Sequence, residues 1–319
     1  MIGAGRMEVP CRPTRFYGDG CYGMANAELV GQEALTRLRQ LPTLGDLPQA
    51  RTMKQKKRRR TYRAVLPLRD GSTEVLVKEH RWDPRRAPLV NALCLRRPVC
   101  AARMACRLAQ AGFHTFQPVA AVRSRAKGPA DRAWLVFRPL RGTSLQAWLK
   151  AGPPLEDAER MLRAVAREAA RLHDAHFWHG DLRPQNILLL EAGREGEPGG
   201  PTEALGFIDV DRAGRRRWWL CMCAGLRQAL DVRNLLFHLR GDCAVDARCA
   251  AIFRAQYYGA RGFGALRRRL WNFILRFPRK SLTRRQRATT KPHIQKPPLS
   301  RNRLLVVLKR LLRSRHPDS

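Results

Sequence analysis

The sequence predicts an α+β fold, with a small β-rich N-terminal part and a mainly helical C-terminal part. Three observations predict it. Strand-like runs at Thr61–Leu68 and Glu74–His80 flank an Asp70-Gly71 turn signal. Two more β-type runs, Val119–Val122 and Ala133–Phe137, follow with a Lys/Gly/Pro turn between them. Beyond residue 150 the apolar residues recur mostly at spacings of three and four, the helical period.

Residues 1–50 are rich in Gly, Pro and Arg and read as an N-terminal extension, with one short helix near Ala27–Gln40. The basic run Lys54–Arg60 leads directly into the first strand. In the second strand Val75, Val77 and Glu79 share one face, and Leu76 and Lys78 the other. Ala101, Met104, Ala105, Leu108 and Ala109 mark a helix within 89–111, which Gly112 can cap. Pro139 and Gly142 break the pattern and suit a pivot between an N-lobe of residues 51–138 and a C-lobe of residues 139–275. Pro153-Pro154 then introduces an amphipathic helix with Leu155, Ala158, Met161, Leu162, Val165, Ala169 and Leu172 on its apolar face. Ile187–Leu190 and Leu205–Val210 read as a hairpin, and Gly225–Leu239 and Asp246–Tyr258 as helices. Residues 276–319 form a basic tail of low apolar content, ending in an amphipathic helix with Leu304, Leu305, Leu308, Leu311 and Leu312 on one side.

Charge sets the expected partners. The 62 Lys+Arg against 26 Asp+Glu give a net charge of +36. No acidic residue lies between Asp83 and Asp131, or between Asp246 and Asp318. An anionic partner is therefore expected, either a lipid surface or a phosphorylated substrate. No aromatic-basic RNA motif accompanies the charge, so no specific nucleic acid is expected. No apolar run reaches the length of a membrane span, and the first residues lack a secretory apolar block. The nine cysteines include no CxxC pair, which argues against a zinc site or a disulfide framework and suits a cytoplasmic chain. His173, His176 and His179 recur at three-residue spacing, but the first ends a helix and the last begins a different motif, so a shared metal is not expected.

That motif is His179-Gly180-Asp181-Leu182-Arg183-Pro184-Gln185-Asn186, followed across the hairpin by Phe207-Ile208-Asp209. It resembles the catalytic loop and metal motif of the protein-kinase-like superfamily, and the resemblance reaches from about Lys54 to Tyr258. A lone turn aspartate is usually a cap. Here Asp181, Asn186 and Asp209 must be explained together, after the right helix and around the right hairpin. Phosphoryl transfer asks a protein mainly for positioning and charge neutralisation. Asp181 suits the residue that accepts the hydrogen bond of the acceptor hydroxyl, and Arg183 one that steadies the transferred phosphate. Asn186 and Asp209 suit the Mg²⁺ ligands, and His179 a loop anchor. Asp211, in Ile208-Asp209-Val210-Asp211, departs from the Asp-Phe-Gly of protein kinases.

The resemblance also implies a bilobal protein-kinase-like fold and an ATP site. Lys78 resembles the strand lysine that holds the α- and β-phosphates. No G-x-G-x-x-G precedes it; Lys57–Arg63 stands there instead. That basic covering segment is similar to the one in the lipopolysaccharide core kinases that act on Kdo or heptose, and it makes Arg59 and Thr61 cofactor-binding candidates. Ala111–Val119, the Ile-Asp-x-Asp motif and Asp231–Leu236 resemble the same family, with Asp231 expected to buttress the catalytic loop. Phe137-Arg138-Pro139-Leu140 is the expected hinge, placing Arg138 where the backbone meets adenine.

The resemblance implies an ATP- and Mg²⁺-dependent kinase that phosphorylates a hydroxyl of a lipopolysaccharide inner-core sugar. Its partners would be lipopolysaccharide or its core oligosaccharide and the anionic inner-membrane surface, on the cytoplasmic side. A Ser/Thr protein kinase and a non-catalytic basic binding module are the alternatives. One departure stands out: the helix after Lys78 contains no acid to pair with it, Asn91 is the nearest polar residue, and Glu79 should face away.

Overall fold

Alternating apolar and polar residues fold the first part of the chain into strands. The computed structural model describes residues 12–272, except 19, 45–46, 48, 57–58, 82, 84, 86–87, 126–130, 191–203, 216–220, 244–246, 263 and 265–270. The chain opens with β1 (Pro13–Gly18), β2 (Cys21–Asn26) and helix α1 (Gln32–Leu44). Strands β3 (Arg51–Lys56), β4 (Arg59–Leu68) and β5 (Gly71–Arg81) follow. Helix α2 (Pro88–Gln110) leads to β6 (His114–Thr115), β7 (Gln117–Ser124) and β8 (Arg132–Arg138). Seven of these strands form one antiparallel sheet in the order β1-β2-β7-β8-β5-β4-β3.

The sheet is covered on both faces, and each face follows from strand alternation. Tyr62, Ala64, Val75, Val77 and Val119 pack with Ala34, Leu38 and Leu41 of α1. The other face sets Ala121, Leu135 and Phe137 against Ala101, Ala105 and Leu108 of α2. This second core runs on into the helical lobe. That lobe holds β9 (Thr143–Ser144), α3 (Leu145–Lys150), α4 (Leu155–Asp174), β10 (Phe177–Trp178), β11 (Ile187–Leu189), β12 (Leu205–Phe207) and β13 (Gly214–Arg215). Helices α5 (Cys221–Asp242) and α6 (Ala247–Ala260) complete it. Leu162, Val165 and Ala169 of α4 meet Phe253 and Tyr257 of α6 in its core.

The structure is thus a β-rich lobe followed by a helical lobe, as the sequence predicts. Helix α2 ends as expected: Gly112 has φ +80°, and the Phe113 N–H bonds the Leu108 carbonyl at 2.9 Å. The β4–β5 turn falls at Arg69-Asp70, with Gly71 already paired to Leu68.

Two features differ from the sequence reading. Within the segment read as an extension, β1 and β2 add to the sheet beside β7 and α1 covers one of its faces. Its helix begins at Gln32 rather than near Ala27. Its buried residues, such as Phe16, Cys21 and Ala25, are too sparse among Gly, Pro and Arg to show a period. Strand β3 is also unanticipated. Its residues Arg-Thr-Met-Lys-Gln-Lys carry no apolar alternation, because it is a sheet edge and charge suits that position. Cys106 is disulfide-bonded, although the cysteine spacing argues against a disulfide framework. The basic tail and its leucine-rich helix lie outside the described residues.

Candidate active site

Helix α4 delivers the chain to a loop fixed mainly from behind by α5. The Asp231 carboxylate is buried and accepts two backbone N–H groups, from His179 at 2.6 Å and Gly180 at 2.8 Å. One turn on, Asn234 donates to the Leu182 carbonyl at 2.9 Å and reaches Asp181 Oδ1 at 3.4 Å. Gly180 has φ +77°, and a Cβ there would stand 2.3 Å from the Arg212 carbonyl oxygen, so only glycine fits. The His179 ring donates from Nε2 to the Ile208 carbonyl at 3.0 Å and accepts the Asp181 N–H on Nδ1 at 3.3 Å. It is an anchor, as expected, and its tautomer is set by these two bonds.

A second layer stands behind Asp231. His173 Nε2 lies 3.5 Å from its carboxylate, and His173 Nδ1 bonds the Tyr257 hydroxyl at 2.6 Å. Burial pushes the His173 pKa down and that of Tyr257 up. Nothing in the sequence signals Tyr257 or Asn234 as supports of the loop, because both contacts span long stretches of chain.

The loop places the proposed chemical groups. Asp181 is held at the loop tip with Arg183 Nε 2.7 Å from its Oδ1. Asn186 donates its amide nitrogen to the Asp181 carbonyl at 2.9 Å, which leaves the amide oxygen outside that bond. Pairing of β11 with β12 sets Ile187 opposite Phe207, and the Ile208 N–H bonds the Asn186 carbonyl at 3.0 Å. Asp209 therefore follows directly on the residue bonded to Asn186. It adopts a left-handed conformation with φ 60° and ψ 43°, uncommon for a non-glycine residue and frequent at functional sites.

Lys78 crosses from β5 to Asp209, with Nζ 2.7 Å from Oδ1, and lies over the Phe137 ring at 5.5 Å. Burial alone would raise the Asp209 carboxyl, but Lys78, His179 and Arg59 outweigh it and hold its pKa below the usual range. Asp211 goes the other way, raised by burial and by the charge of Asp209 against the pull of Lys78, Arg59 and Arg97. In the β4–β5 pairing Thr61 stands opposite Lys78 and Arg59 opposite His80. Cross-strand partners share a face, so Arg59 and Thr61 flank Lys78 on the cleft side.

Arg138 is different. Its guanidinium is held by Asp70, by Thr73 at 3.1 Å and by Gln117 at 3.4 Å. Its side chain is thus committed to the β4–β5 turn, and only its backbone remains for a hinge role.

Glu79 does face away from Lys78. It is fully buried and accepts from Arg81 at 2.8 and 2.9 Å, with Arg132 at 3.5 Å. The Asn91 side chain lies outside the described residues. What the sequence did not reveal is His80, which is buried on the Lys78 face. Burial, with the charges of Arg59, Lys78 and Arg97, lowers its pKa to about 3, so it stays neutral. Arg97 of α2 acts on both His80 and Asp211. The helix that carries an acid in protein kinases thus carries a cation here.

Among the described residues no group of three or more His, Cys, Asp and Glu is placed to hold a metal. Asn186 and Asp209 offer an amide oxygen and a carboxylate, hard donors that suit a cation also bound by phosphate oxygens. Among the described residues no helix is long and apolar enough to cross a membrane.

Residues 98–220 match the model of the lipopolysaccharide kinase (Kdo/WaaP) family, a stretch that includes Asp181, Arg183, Asn186 and Asp209. Two curated sequences from Escherichia coli, both described as the O-antigen chain terminator bifunctional methyltransferase/kinase WbdD, are 38% identical over 60 residues. That alignment covers 19% of this chain, and the chain spans 8% of the length of those relatives. Among solved structures, WaaP in complex with acyl carrier protein aligns over 77% of this chain and 98% of its own, with a TM-score of 0.50 and 23% identity. The chain therefore has a bilobal fold like that of WaaP, and its residues 98–220 are similar to the lipopolysaccharide kinase (Kdo/WaaP) family.

Proposed function

We propose that this chain transfers the γ-phosphate of ATP to a hydroxyl of a lipopolysaccharide inner-core sugar, Kdo or heptose. The observation that carries the reading is the meeting of Lys78 and Asp209 at 2.7 Å, from two lobes and distant parts of the chain, beside the catalytic loop that Asp231 fixes. Neither contact is needed to build the sheet or the helical core.

Each residue has a separable task. Asp181 accepts the hydrogen bond of the acceptor hydroxyl and aims its oxygen along the line of attack. The hydroxyl proton passes toward the Asp181 carboxylate as the new P–O bond forms and the bond to ADP breaks. Arg183, already beside Asp181, offsets charge on the transferred phosphoryl group. Lys78, Arg59 and Thr61 bind the phosphates from the β-rich lobe. Asn186 and Asp209 would hold Mg²⁺, which neutralises phosphate charge when bound. The net charge of +36 favours a phosphate- and carboxylate-bearing acceptor at an anionic membrane face, on the cytoplasmic side.

The test is transfer of labelled γ-phosphate from Mg·ATP to an envelope glycolipid extract, with wild type beside Asp181→Ala. Label in the lipopolysaccharide band that the variant loses supports the proposal. Label appearing only on protein Ser/Thr, or glycolipid label that survives Asp181→Ala, overturns it.

A further inference from the structure

On the sheet face opposite Lys78, an open cavity of about 440 Å³ lies between β1 and α1. Three arginines line it, Arg15, Arg39 and Arg69, and among the described residues no acidic one does. Its apolar wall includes Phe16, Val30 and Leu35, which belong to or pack on the core shared with Val75 and Val77. Strand alternation sends those valines away from the Lys78 side, so the sheet separates this cavity from the candidate active site.

Three acids of the neighbouring described segments are already engaged. Glu28 lies 3.6 Å from Arg12, Glu33 lies 2.7 Å from Arg37, and Asp70 holds Arg138. Arg39 Nε is buried without a hydrogen-bond partner among the described residues. The Arg69 Nε reaches the Val30 carbonyl at a long 3.5 Å. Local packing also accommodates the arrangement. A Cβ on Gly18 would stand 3.0 Å from Arg39 Cγ, and one on Gly23 would stand 2.7 Å from the Phe16 ring, so both glycines leave room for cavity residues. Like charges gathered on partly apolar ground repel one another unless an anion joins them, and the guanidinium fork matches phosphate oxygens.

We propose that this cavity binds a phosphate monoester carried on an apolar body, with its oxygens on Arg15, Arg39 and Arg69 and its chain against Phe16, Val30 and Leu35. The ligand chemistry is that of an alkyl phosphate or a lipid-borne phosphate. The site is independent of the phosphotransfer reading.

Calorimetric titration of the full chain with decyl phosphate, kept below its micelle concentration, tests it. One saturable site is expected, and Arg39→Gln or Arg15→Gln weakens it by about tenfold or more, the cost of one charged hydrogen-bond partner. Lys78→Ala and the exposed α2 substitution Arg103→Gln leave it unchanged. Arg15 is exposed, so its variant carries the test should Arg39→Gln disturb folding. Four results would overturn the proposal: no saturable site, an unaltered affinity in the Arg15 variant, an equal loss in Arg103→Gln, or inorganic phosphate or decanol binding as tightly as decyl phosphate.

Discussion

Replacing Asp231 with asparagine tests the central claim about the loop. Its carboxylate takes the His179 and Gly180 N–H groups at 2.6 and 2.8 Å in a buried site. Asparagine keeps one acceptor oxygen but turns an NH₂ group toward the other N–H. One charge-assisted bond is lost outright and the second weakens to a neutral one. With about 1.5–3 kcal/mol for a hydrogen bond to a charged group, the cost is about 3 kcal/mol. In a domain of this size that lowers Tm by roughly 6–12 °C. Catalysis should suffer further, because the two bonds orient the residues just before Asp181, and a misplacement of about 1 Å costs about 100-fold. Lys78 and Asp209 are untouched, so KM for ATP should move little while kcat falls. Thermal melts and initial rates with labelled ATP read both quantities. A variant that melts like wild type with unchanged kcat would refute the reasoning, since the loop would then not depend on Asp231. A large rise in KM with kcat preserved would refute it as well.

Three other outcomes follow from the geometry. Gly180→Ala forces a Cβ to 2.3 Å from the Arg212 carbonyl at φ +77°, so we expect loss of activity and a melting point lower by at least several degrees; full activity would show that the loop relaxes freely. Glu79→Gln removes the charge that pairs with Arg81 and Arg132 and one of its two acceptor oxygens but nothing from the cleft, and the half-exposed arginines can regain water. It should cost about 2 kcal/mol in a denaturant titration and leave kcat at 20 °C within about twofold; a collapse of kcat would make Glu79 the partner of Lys78 after all. His80 has its folded pKa lowered from 6.5 to about 3, so the unfolded chain takes up a proton that the folded one refuses. Its contribution is full above pH 6.5 and lost as pH falls through 6.5 toward 3, up to roughly 5 kcal/mol across the window. His80→Gln should flatten the acid limb of stability against pH, and a limb of unchanged slope would show that burial of His80 is not felt.

The two-lobed plan and the grouping of most candidate-site residues were legible because they rest on local signals. The hairpin around Asp70 shows as alternation, α4 shows as period, and the loop from His179 to Asn186 fits within eight consecutive residues. Lys78 could be chosen because strand alternation separates it from Glu79, and the structure keeps them apart. What escaped was long-range or compositionally hidden. Asn234 and Tyr257 support the loop across 52 and 84 residues of chain through side chains that look ordinary in their own helices. The β1–β2 hairpin has a core set too thin among arginines and glycines to register as strands. Arg138 lies at the predicted hinge, but no local pattern shows that Asp70, 68 residues earlier, claims its guanidinium.

The acid missing from α2 becomes intelligible once the charges around Lys78 are taken together. A helix glutamate serves to hold a strand lysine against phosphate. Here Asp209 already holds Lys78 at 2.7 Å, and the Phe137 ring backs it. On the cleft face stand Lys78 and Arg59, with Arg97 acting from α2, against Asp209 and a half-buried Asp211 whose pKa burial and Asp209 raise. The same crowd of cations keeps His80 neutral, because another positive charge there would be repelled with no acid to receive it. A glutamate on α2 would cancel part of this field. Without it the cleft keeps surplus positive charge that a polyphosphate can neutralise on binding. The departure from the protein-kinase pattern is therefore compatible with phosphotransfer, and it shifts the burden of orienting Lys78 onto Asp209.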